Sequence, residues 1–284
     1  CDRHWVLKYQ SSLADVCTMV CWDQRGSGKS YTNAQAQEDM TLEQVVKDAY
    51  EVCTYLCEKF GKKKISIVGH SWGSMLGLLL AQAHPEIIDK YIGMGQLING
   101  EINEDISYDF VMNYATKSND RKAIASLTKI GRPIKGLYRN LDDLVIQRNY
   151  MTKYGGGCYA EKESIWKSMI LPLLSTPEYT LGDMIRYYKG TFYCLNKLWE
   201  QVVTAKFDET IKHLDVSVYI TQGRHDKNTP PEISTKWFEQ LDAPYKEWIW
   251  FENSAHSPIK EEPTRWGGVI KSIIVNNSAT TIAK

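Results

Sequence analysis

The pentapeptide Gly-His-Ser-Trp-Gly at residues 69–73 is the strongest local constraint on how this chain of 284 residues can fold. The apolar run "KKISIVG" at 63–69 leads into it and has the composition of a short buried strand. The run "SMLGLLLAQAHP" at 74–85 follows it and predicts a helix that stops at Pro85. A serine flanked by glycines at such a junction is typical of a sharp turn with strained backbone angles. The motif therefore predicts a strand, a turn and a helix in direct succession.

Strands and helices are predicted to alternate on both sides of this motif. Residues 41–61 form an amphipathic helix in which Thr41 and Gln44 make a capping box and Gly61 is the C-cap. The strands are continuous buried runs, which favours a parallel sheet with helices on its faces and hence the α/β class. The other predicted elements are strands at 15–22, 87–95, 216–223 and 246–252 and helices near 231–241 and 261–275.

Residues 100–212 interrupt the alternation. This stretch is rich in tyrosine, tryptophan and helix-forming residues and is far too long for a structureless loop. We expect a helical cap inserted between two strands of the sheet. The chain then divides into a first part of the core at 1–99, the cap at 100–212 and a second part of the core at 213–284.

Composition argues against several classes of partner. The 34 basic and 34 acidic side chains cancel, so no long-range field attracts nucleic acid or an anionic membrane surface. The most apolar run, "MLGLLLA" at 75–81, is too short to span a bilayer. The seven cysteines lack the spacing of a zinc site, and we interpret them as reduced, small apolar residues in a cytoplasmic setting.

The stretch "DQRGSGKS" at 23–30 ends like a phosphate-binding loop but lacks the other features of such a loop. The pattern requires a further glycine five residues before Gly28, where this chain has Asp23, whose carboxylate would repel phosphate. The loop should also open directly into a helix, whereas the next helix start is at Thr41. A nucleotide site is therefore not expected, and Lys29 is interpreted as a solvated or locally paired charge.

Three residues have the identities and the chain order of a catalytic triad. At a strand–turn–helix junction of this kind the serine is a nucleophile, which makes Ser71 the candidate; the alternative is a structural serine in a tight turn. The acid and the base follow in loops after later strands. "GRHDKNTP" supplies Asp226 after one predicted strand, and "ENSAHSP" supplies His256 after the next. The backbone N–H of Trp72 is expected to be one oxyanion donor.

Other histidines and aspartates fit these roles less well. His225 is interpreted as a loop residue and His84 as a helix-end residue, while Asp215 precedes its strand and so belongs to the opposite end of the sheet. His70 adjoins the nucleophile and is expected to pack there or to contact substrate. Because nucleophile, base and acid are all side chains, no metal and no organic cofactor are expected.

The chain resembles the proline iminopeptidases, a branch of the α/β-hydrolases, over about residues 15–99 and 214–265. The resemblance implies the α/β-hydrolase fold and a serine hydrolase that releases an N-terminal residue from a short peptide. It also implies that the Asp-Gln-Arg-Gly turn is a wall beside the active site, held by bonds from Asp23 and Arg25. The matching blocks are Asp-Gln-Arg-Gly at 23–26, Gly-His-Ser-Trp-Gly-Ser at 69–74, Gly-Arg-His-Asp at 223–226 and Ser-Ala-His-Ser-Pro at 254–258.

One departure from the family pattern concerns the oxyanion site. Family members carry a His-Gly-Gly-Pro-Gly segment before the helix that precedes Asp-Gln-Arg-Gly, and its backbone supplies the second oxyanion donor. Neither this segment nor the strands before it is found in the sequence. We therefore expect five core strands, fewer than the family has, with an exposed sheet edge, and we interpret the chain as the trailing part of a longer protein.

A second departure concerns the cap. Family aminopeptidases hold the free amine of the substrate with cap carboxylates, often in a Trp-x-x-Trp-Glu setting, of which only Trp199-Glu200 is present. His70, Trp166, Trp199 and Glu200 are therefore the candidate substrate-binding residues. The cap aromatic residues are predicted either to floor an apolar pocket or to form the cap's own core. The remaining candidates are the carboxylates Glu161, Glu163, Glu178 and Asp183, each also explained as a solvated helix charge, and the aromatic residues Tyr187, Tyr188, Phe192 and Tyr193.

Two other functions are compatible with the same residues. A carboxylic-ester hydrolase would use the same triad on an ester instead of a peptide. A binding protein would keep the scaffold without turnover, as some hormone receptors on this fold do. The complete set of Ser71, Asp226 and His256 argues against a binding protein, and the missing oxyanion segment argues for it.

Overall fold

The computed structural model describes residues 3–34, 40–159 and 178–275 and contains a four-stranded sheet whose pairings are all parallel. The strands pair in chain order, with β1 at Ile65–His70, β2 at Ile88–Met94, β3 at Ser217–Gly223 and β4 at Lys246–Phe251. Parallel strands end at one edge of the sheet, so the loops that follow them lie side by side. The predicted α/β class is confirmed.

Helices connect the strands. The helices before β2 are α1 (Arg3–Gln10), α2 (Leu42–Phe60) and α3 (Trp72–Ala83). Those between β2 and β3 are α4 (Gly100–Lys117), α5 (Arg121–Ile130), α6 (Leu141–Lys153), α7 (Leu181–Thr204) and α8 (Phe207–Thr210). After β3 come α9 (Pro231–Gln240), α10 (Pro258–Glu261) and α11 (Pro263–Val275). The four helices for which the sequence predicts bounds, α2, α3, α9 and α11, agree with those bounds to within about three residues.

Both faces of the sheet are buried by apolar side chains. Tyr91 and Ile220 point into the cluster that α2 and α3 cover. Their chain neighbours Ile92 and Tyr219 point into the opposite cluster, which includes Trp266 of α11. Successive strand side chains alternate between faces, so a strand whose two faces are both covered is apolar throughout. This is why the strands of the sequence were continuous apolar runs.

Helix α2 forms where its capping residues predict it. Thr41 Oγ1 accepts a hydrogen bond from Gln44 N at 3.2 Å, and Gly61 ends the helix with φ of 60°. The Gln44 side chain donates to Asp48 Oδ1 at 2.9 Å, so only the Thr41 half of the predicted capping box is formed. Cys53 and Cys57 are buried on the inner side of this helix. Burial raises the pKa of Cys53 to about 11, so its thiol stays protonated and acts as a small apolar group.

The predicted strand at 15–22 is wrong. Ser11–Asp15 is a short 3-10 helix, and residues 17–24 belong to no helix or strand. An apolar run becomes a strand only when another strand pairs with its backbone, and none does so within the described part of the chain. The sheet therefore has four strands instead of five. One of its two edge strands is β1, where Val68 keeps 48% of its surface exposed, in line with the exposed edge that the sequence predicts.

The described residues between β2 and β3, at 100–159 and 178–210, are called the helical segment. They have an apolar core of their own, which includes Tyr108, Leu127 and Met151. Trp199 packs against both this core and the core of the sheet. Tyr188, in contrast, is 60% exposed, so the aromatic residues of the segment do not form one cluster. The boundaries at 99/100 and 212/213 stay a prediction.

Two further features concern the described residues only. No helix in these ranges combines the length and the apolarity needed to cross a membrane. Within the same ranges, no three side chains of His, Cys, Asp or Glu form a group that could hold a metal ion.

The two glycines of the Gly-His-Ser-Trp-Gly motif differ in their steric demands, which leads to a first prediction. A Cβ on Gly69 would lie 2.2 Å from the carbonyl oxygen of Gly73, whereas a Cβ on Gly73 meets nothing within 4 Å. We expect Gly69→Ala to lower the free energy of unfolding by about 2 kcal/mol or more, since backbone must move. Gly73→Ala, inside α3, should be neutral or stabilising by up to about 1 kcal/mol.

Urea unfolding of the wild type and both variants measures this difference. Equal stabilities for Gly69→Ala and Gly73→Ala would contradict the steric account of the turn.

Candidate active site

Ser71 lies in a strained turn between β1 and α3, as the motif predicts. Its φ of 55° and ψ of −118° are unusual for a residue with a side chain. Ser71 N donates to Met94 O at 2.9 Å, which fixes the turn to the end of β2. Ser71 is also the N-cap of α3, so it lies at the positive end of the helix dipole, next to the first N–H groups of the helix.

Asp226 lies in the loop after β3 and is completely buried. Its Oδ1 accepts from Asn228 N at 2.8 Å and from Thr229 N at 2.9 Å. Its Oδ2 accepts from Thr229 Oγ1 at 2.7 Å and from Gln222 Nε2 at 3.0 Å. Burial alone would raise the pKa of this carboxyl, but the charge and hydrogen bond of His256 and the bonds from Thr229 outweigh burial and lower it. Asp226 is therefore an ionised, fully hydrogen-bonded carboxylate.

His256 lies in the loop after β4, and its Nδ1 is 3.0 Å from Asp226 Oδ2. The ionised carboxylate accepts only, so Nδ1 carries a proton and Nε2 is left as the acceptor in the neutral ring. Thr229 Oγ1, 3.2 Å from Nδ1, lies beside the same pair. Asp226 and His256 are thus joined by a hydrogen bond at Nδ1 that leaves Nε2 without a proton in the neutral ring.

Ser71 and His256 both lie at the end of the sheet where the carboxyl ends of the strands meet. The imidazole lies against Gly95, just after β2: a Cβ built there would be 3.0 Å from His256 Cε1. The ring of His70, next to Ser71 in the chain, lies 4.7 Å from the His256 ring. Among the described contacts, no hydrogen bond joins the Ser71 hydroxyl to His256. Such bonds often tighten only when substrate binds, and the three-residue triad stays a prediction.

His70 contacts the loop that carries His256. Its Nε2 lies 2.8 Å from the carbonyl oxygen of His256, which requires a proton on Nε2. Burial, together with the neighbouring charge of His256, lowers the pKa of His70 from its ordinary value of 6.5 to about 4. His70 is therefore a neutral hydrogen-bond donor to the loop that carries the base.

The Asp-Gln-Arg-Gly turn is bonded to Trp72, the residue after Ser71. Trp72 Nε1 donates to Gln24 Oε1 at 2.9 Å. Arg25 makes two hydrogen bonds to Asp48 of α2, at 2.7 and 2.8 Å, and Asp23 Oδ2 accepts from Lys29 N at 3.0 Å. The expected bonds from Asp23 and Arg25 are thus present. Lys29 Nζ lies over the ring of Tyr179, 5.4 Å from its centroid, in line with a locally paired charge.

The candidate substrate-binding residues are less well supported. Glu200 is exposed on α7, and no described contact joins it to Ser71, Asp226 or His256. Trp199 packs in the interior, with the Arg148 guanidinium 5.8 Å from its ring centroid. Trp166 lies outside the described residues, as do Glu161 and Glu163.

The remaining carboxylate candidates and the rejected residues have structural contacts. Asp183 completes the capping box of α7, and Glu178 pairs with Arg3. Asp215 and His213 bond to each other at 3.0 Å, before β3 and therefore at the opposite end of the sheet. His84 stacks on Tyr50, and His225 stacks on Tyr159.

Two residues of interest, one in the loop of Asp226 and one on α4, were not identified from the sequence. Thr229 bonds both Asp226 and His256. A threonine three residues after an aspartate is typical of a turn in which the aspartate side chain bonds the backbone, and this pattern could have identified Thr229. Glu104 of α4 is 2% exposed and pairs with Arg148, yet its Oε2 has no hydrogen-bond partner among the residues that the structure describes. No sequence pattern separates Glu104 from the other helix carboxylates.

Known proteins share both the sequence pattern and the fold. The family model described as alpha/beta hydrolase fold matches residues 6–263. A probable aminopeptidase of Bacillus subtilis (strain 168), YbaC, is 30% identical over 267 residues, which cover 94% of this chain and 82% of that protein. The proline iminopeptidase of Neisseria gonorrhoeae is 44% identical over 81 residues, or 28% of this chain and 24% of that protein.

The fold comparison agrees with the family match. The crystal structure of a proline iminopeptidase from Mycobacterium smegmatis aligns with a TM-score of 0.61 at 14% identity, covering 95% of this chain and 85% of that chain. At this identity the likeness concerns the fold alone. The match of the family model over most of the chain carries the assignment: the protein belongs to the α/β-hydrolase fold family, and within that family it is proline iminopeptidase-like.

Proposed function

We propose that the protein is a serine hydrolase that acts through an acyl-enzyme, most specifically an aminopeptidase that releases N-terminal residues from short peptides. The observation that carries the proposal is the strained Ser71 turn at the same sheet edge as a buried Asp226–His256 pair. The aminopeptidase and proline iminopeptidase names of the relatives support the substrate class.

The chemistry follows from the roles of these side chains. His256 Nε2 takes the hydroxyl proton as Ser71 Oγ attacks the carbonyl carbon, and the ionised Asp226 stabilises the resulting imidazolium. The imidazolium then gives this proton to the leaving amine. Water, deprotonated by His256, attacks the acyl-enzyme, and Ser71 leaves with a proton restored. The Trp72 N–H at the start of α3 donates to the oxyanion in both steps.

Recognition of a free amine needs a carboxylate, and Glu104 is the best-supported candidate. It lies in the second turn of α4, the helix that follows the end of β2. Its neighbour Asn103 donates to Asn228 O at 2.8 Å, in the loop of Asp226. Its buried Oε2, without a partner among the described residues, is an acceptor that an ammonium group would satisfy.

The pairing of Glu104 with Arg148 favours a second candidate function, a carboxylic-ester hydrolase. The guanidinium already balances the charge of the buried carboxylate. A substrate without an amine needs no further carboxylate, and Glu200 is exposed. Arylamides with a free N-terminal proline and simple short esters therefore separate the two functions, since only the first class carries the amine.

Ser71→Ala tests the hydrolase itself. We expect turnover of every substrate to fall by roughly 10³-fold or more, because the nucleophile is lost. A fluorophosphonate should label the wild type and leave Ser71→Ala unlabelled. The control is Ser66→Ala, which removes a serine on β1 whose side chain bonds Asp89. Equal labelling of wild type and Ser71→Ala would remove the main support for catalysis.

Glu104→Gln tests amine recognition. We expect KM for a proline arylamide to rise by roughly 10-fold or more, because a charge-assisted hydrogen bond to the ammonium group is lost. kcat/KM for a short ester should stay unchanged. Asp143→Asn alters another buried carboxylate of the helical segment and provides the control. Equal changes for arylamide and ester would show that Glu104 does not bind the amine.

His70→Gln tests the neutral state of His70. The pKa of His70 is about 4 in the folded protein, below its ordinary 6.5, so between these pH values the unfolded chain binds more protons. Stability should therefore fall as pH drops from 7 to 4, by on the order of 1–2 kcal/mol more in the wild type than in His70→Gln. Urea unfolding at several pH values measures the difference, and parallel curves would contradict it.

A further inference from the structure

The backbone around His256 is held by bonds from three other parts of the chain. His70 Nε2 donates to His256 O at 2.8 Å, and His256 N donates to Gly157 O at 3.4 Å. Glu261 of α10 supplies the rest: its Oε1 accepts from Ala255 N at 3.0 Å and from Ser257 N at 3.2 Å. A single carboxylate oxygen thus bonds the amides on both sides of the proposed base.

The second oxygen of Glu261 bonds the helical segment. Oε2 accepts from Tyr159 N at 2.6 Å, and the thiol of Cys158 donates to the same carboxylate. We call residues 155–159 the glycine strap, since they read Gly-Gly-Gly-Cys-Tyr. One carboxylate therefore connects the strap to the His256 loop.

The glycine strap also bonds the loop of the acid. Gly156 O accepts from Lys227 N at 2.8 Å. The ring of Tyr159 stacks on His225, with centroids 3.7 Å apart and an interplanar angle of 5°. Lys227 and His225 flank Asp226 in the chain. The strap consequently touches the neighbours of both members of the acid–base pair.

From these contacts we infer that Glu261 is a positioning residue for His256. It holds the base loop through the two flanking amides and holds that loop to the glycine strap. The inference rests on the proposed function, in which His256 is the general base. Asp226 fixes the imidazole only at Nδ1, so the direction of Nε2 toward Ser71 depends on the backbone that Glu261 orients.

Glu261→Gln removes one acceptor oxygen without changing side-chain size. The amide NH2 must then face either the Ala255 and Ser257 N–H groups or the Tyr159 N–H, and donor faces donor in both orientations. We expect kcat for a short ester and the fluorophosphonate labelling rate to fall by roughly 10-fold, with KM within about two-fold. Glu261→Ala should lose more, since the glutamine keeps one acceptor.

Glu262→Gln is the matched control. Glu262 is the next residue, and it accepts from Asn253 N at 3.0 Å and Ser254 Oγ at 2.8 Å, at the far end of the same loop. A role limited to loop stability would lower the melting temperature and kcat alike in both glutamine variants. The positioning role lowers kcat in Glu261→Gln alone, although both variants lose melting temperature.

Two results would overturn the inference: kcat and labelling of Glu261→Gln within about two-fold of the wild type, or an equal loss in Glu262→Gln. Failure of the proposed function has a different signature. The wild type and Glu261→Gln would then be equally inert toward the fluorophosphonate, and the positioning role would fall with the function.

Discussion

The buried negative charge of Asp226 is the constraint on which the site depends. A carboxylate with no exposed surface would cost several kcal/mol if it were left unpaired. Three of its hydrogen bonds come from its own loop, from Asn228 N and from Thr229 N and Oγ1. The fourth comes from Gln222 of β3, and the fifth from His256. The imidazole of His256 is thus a hydrogen-bond partner of a carboxylate that is already fixed by its own loop, and this bond holds the ring at that place.

Asp226 and His256 can meet because the loops after the strands approach each other closely. A Cβ on Gly223 would lie 1.8 Å from Ala255 O, so the last residue of β3 must be a glycine for the two loops to touch. Gly95, with φ of 58°, leaves room for the imidazole after β2. Gly69 does the same for the Ser71 turn. At or next to the ends of β1, β2 and β3 there is therefore a glycine, at a position where a side chain would clash with a neighbouring part of the site.

Much of this arrangement follows from the sequence because it is local. The Ser71 turn, the capping of α2 and the order of Ser71, Asp226 and His256 all depend on short patterns whose stereochemistry is fixed. The features that the sequence did not predict depend on contacts between residues that are distant in the chain. The run at 15–22 has the composition of a strand, but a strand forms only where the backbone of another strand pairs with it. The bond from His70 to the His256 carbonyl joins residues 186 apart, and burial separates Glu104 from Glu200 only once the helices pack.

The loop that carries His256, the proposed base, is held through its backbone. In the proposed mechanism His256 changes charge in each cycle, so a bond to its ring must suit both protonation states, as the contacts of Nδ1 with Asp226 and Thr229 do. Bonds to the flanking amides and to the His256 carbonyl involve backbone groups, so they can be kept in both charge states of the imidazole. They come from β1, α10 and the glycine strap, so three parts of the chain fix the loop without a bond to the ring itself. The glycine strap is part of the helical segment. One network of hydrogen bonds through Glu261 therefore joins that segment to the loop that carries His256.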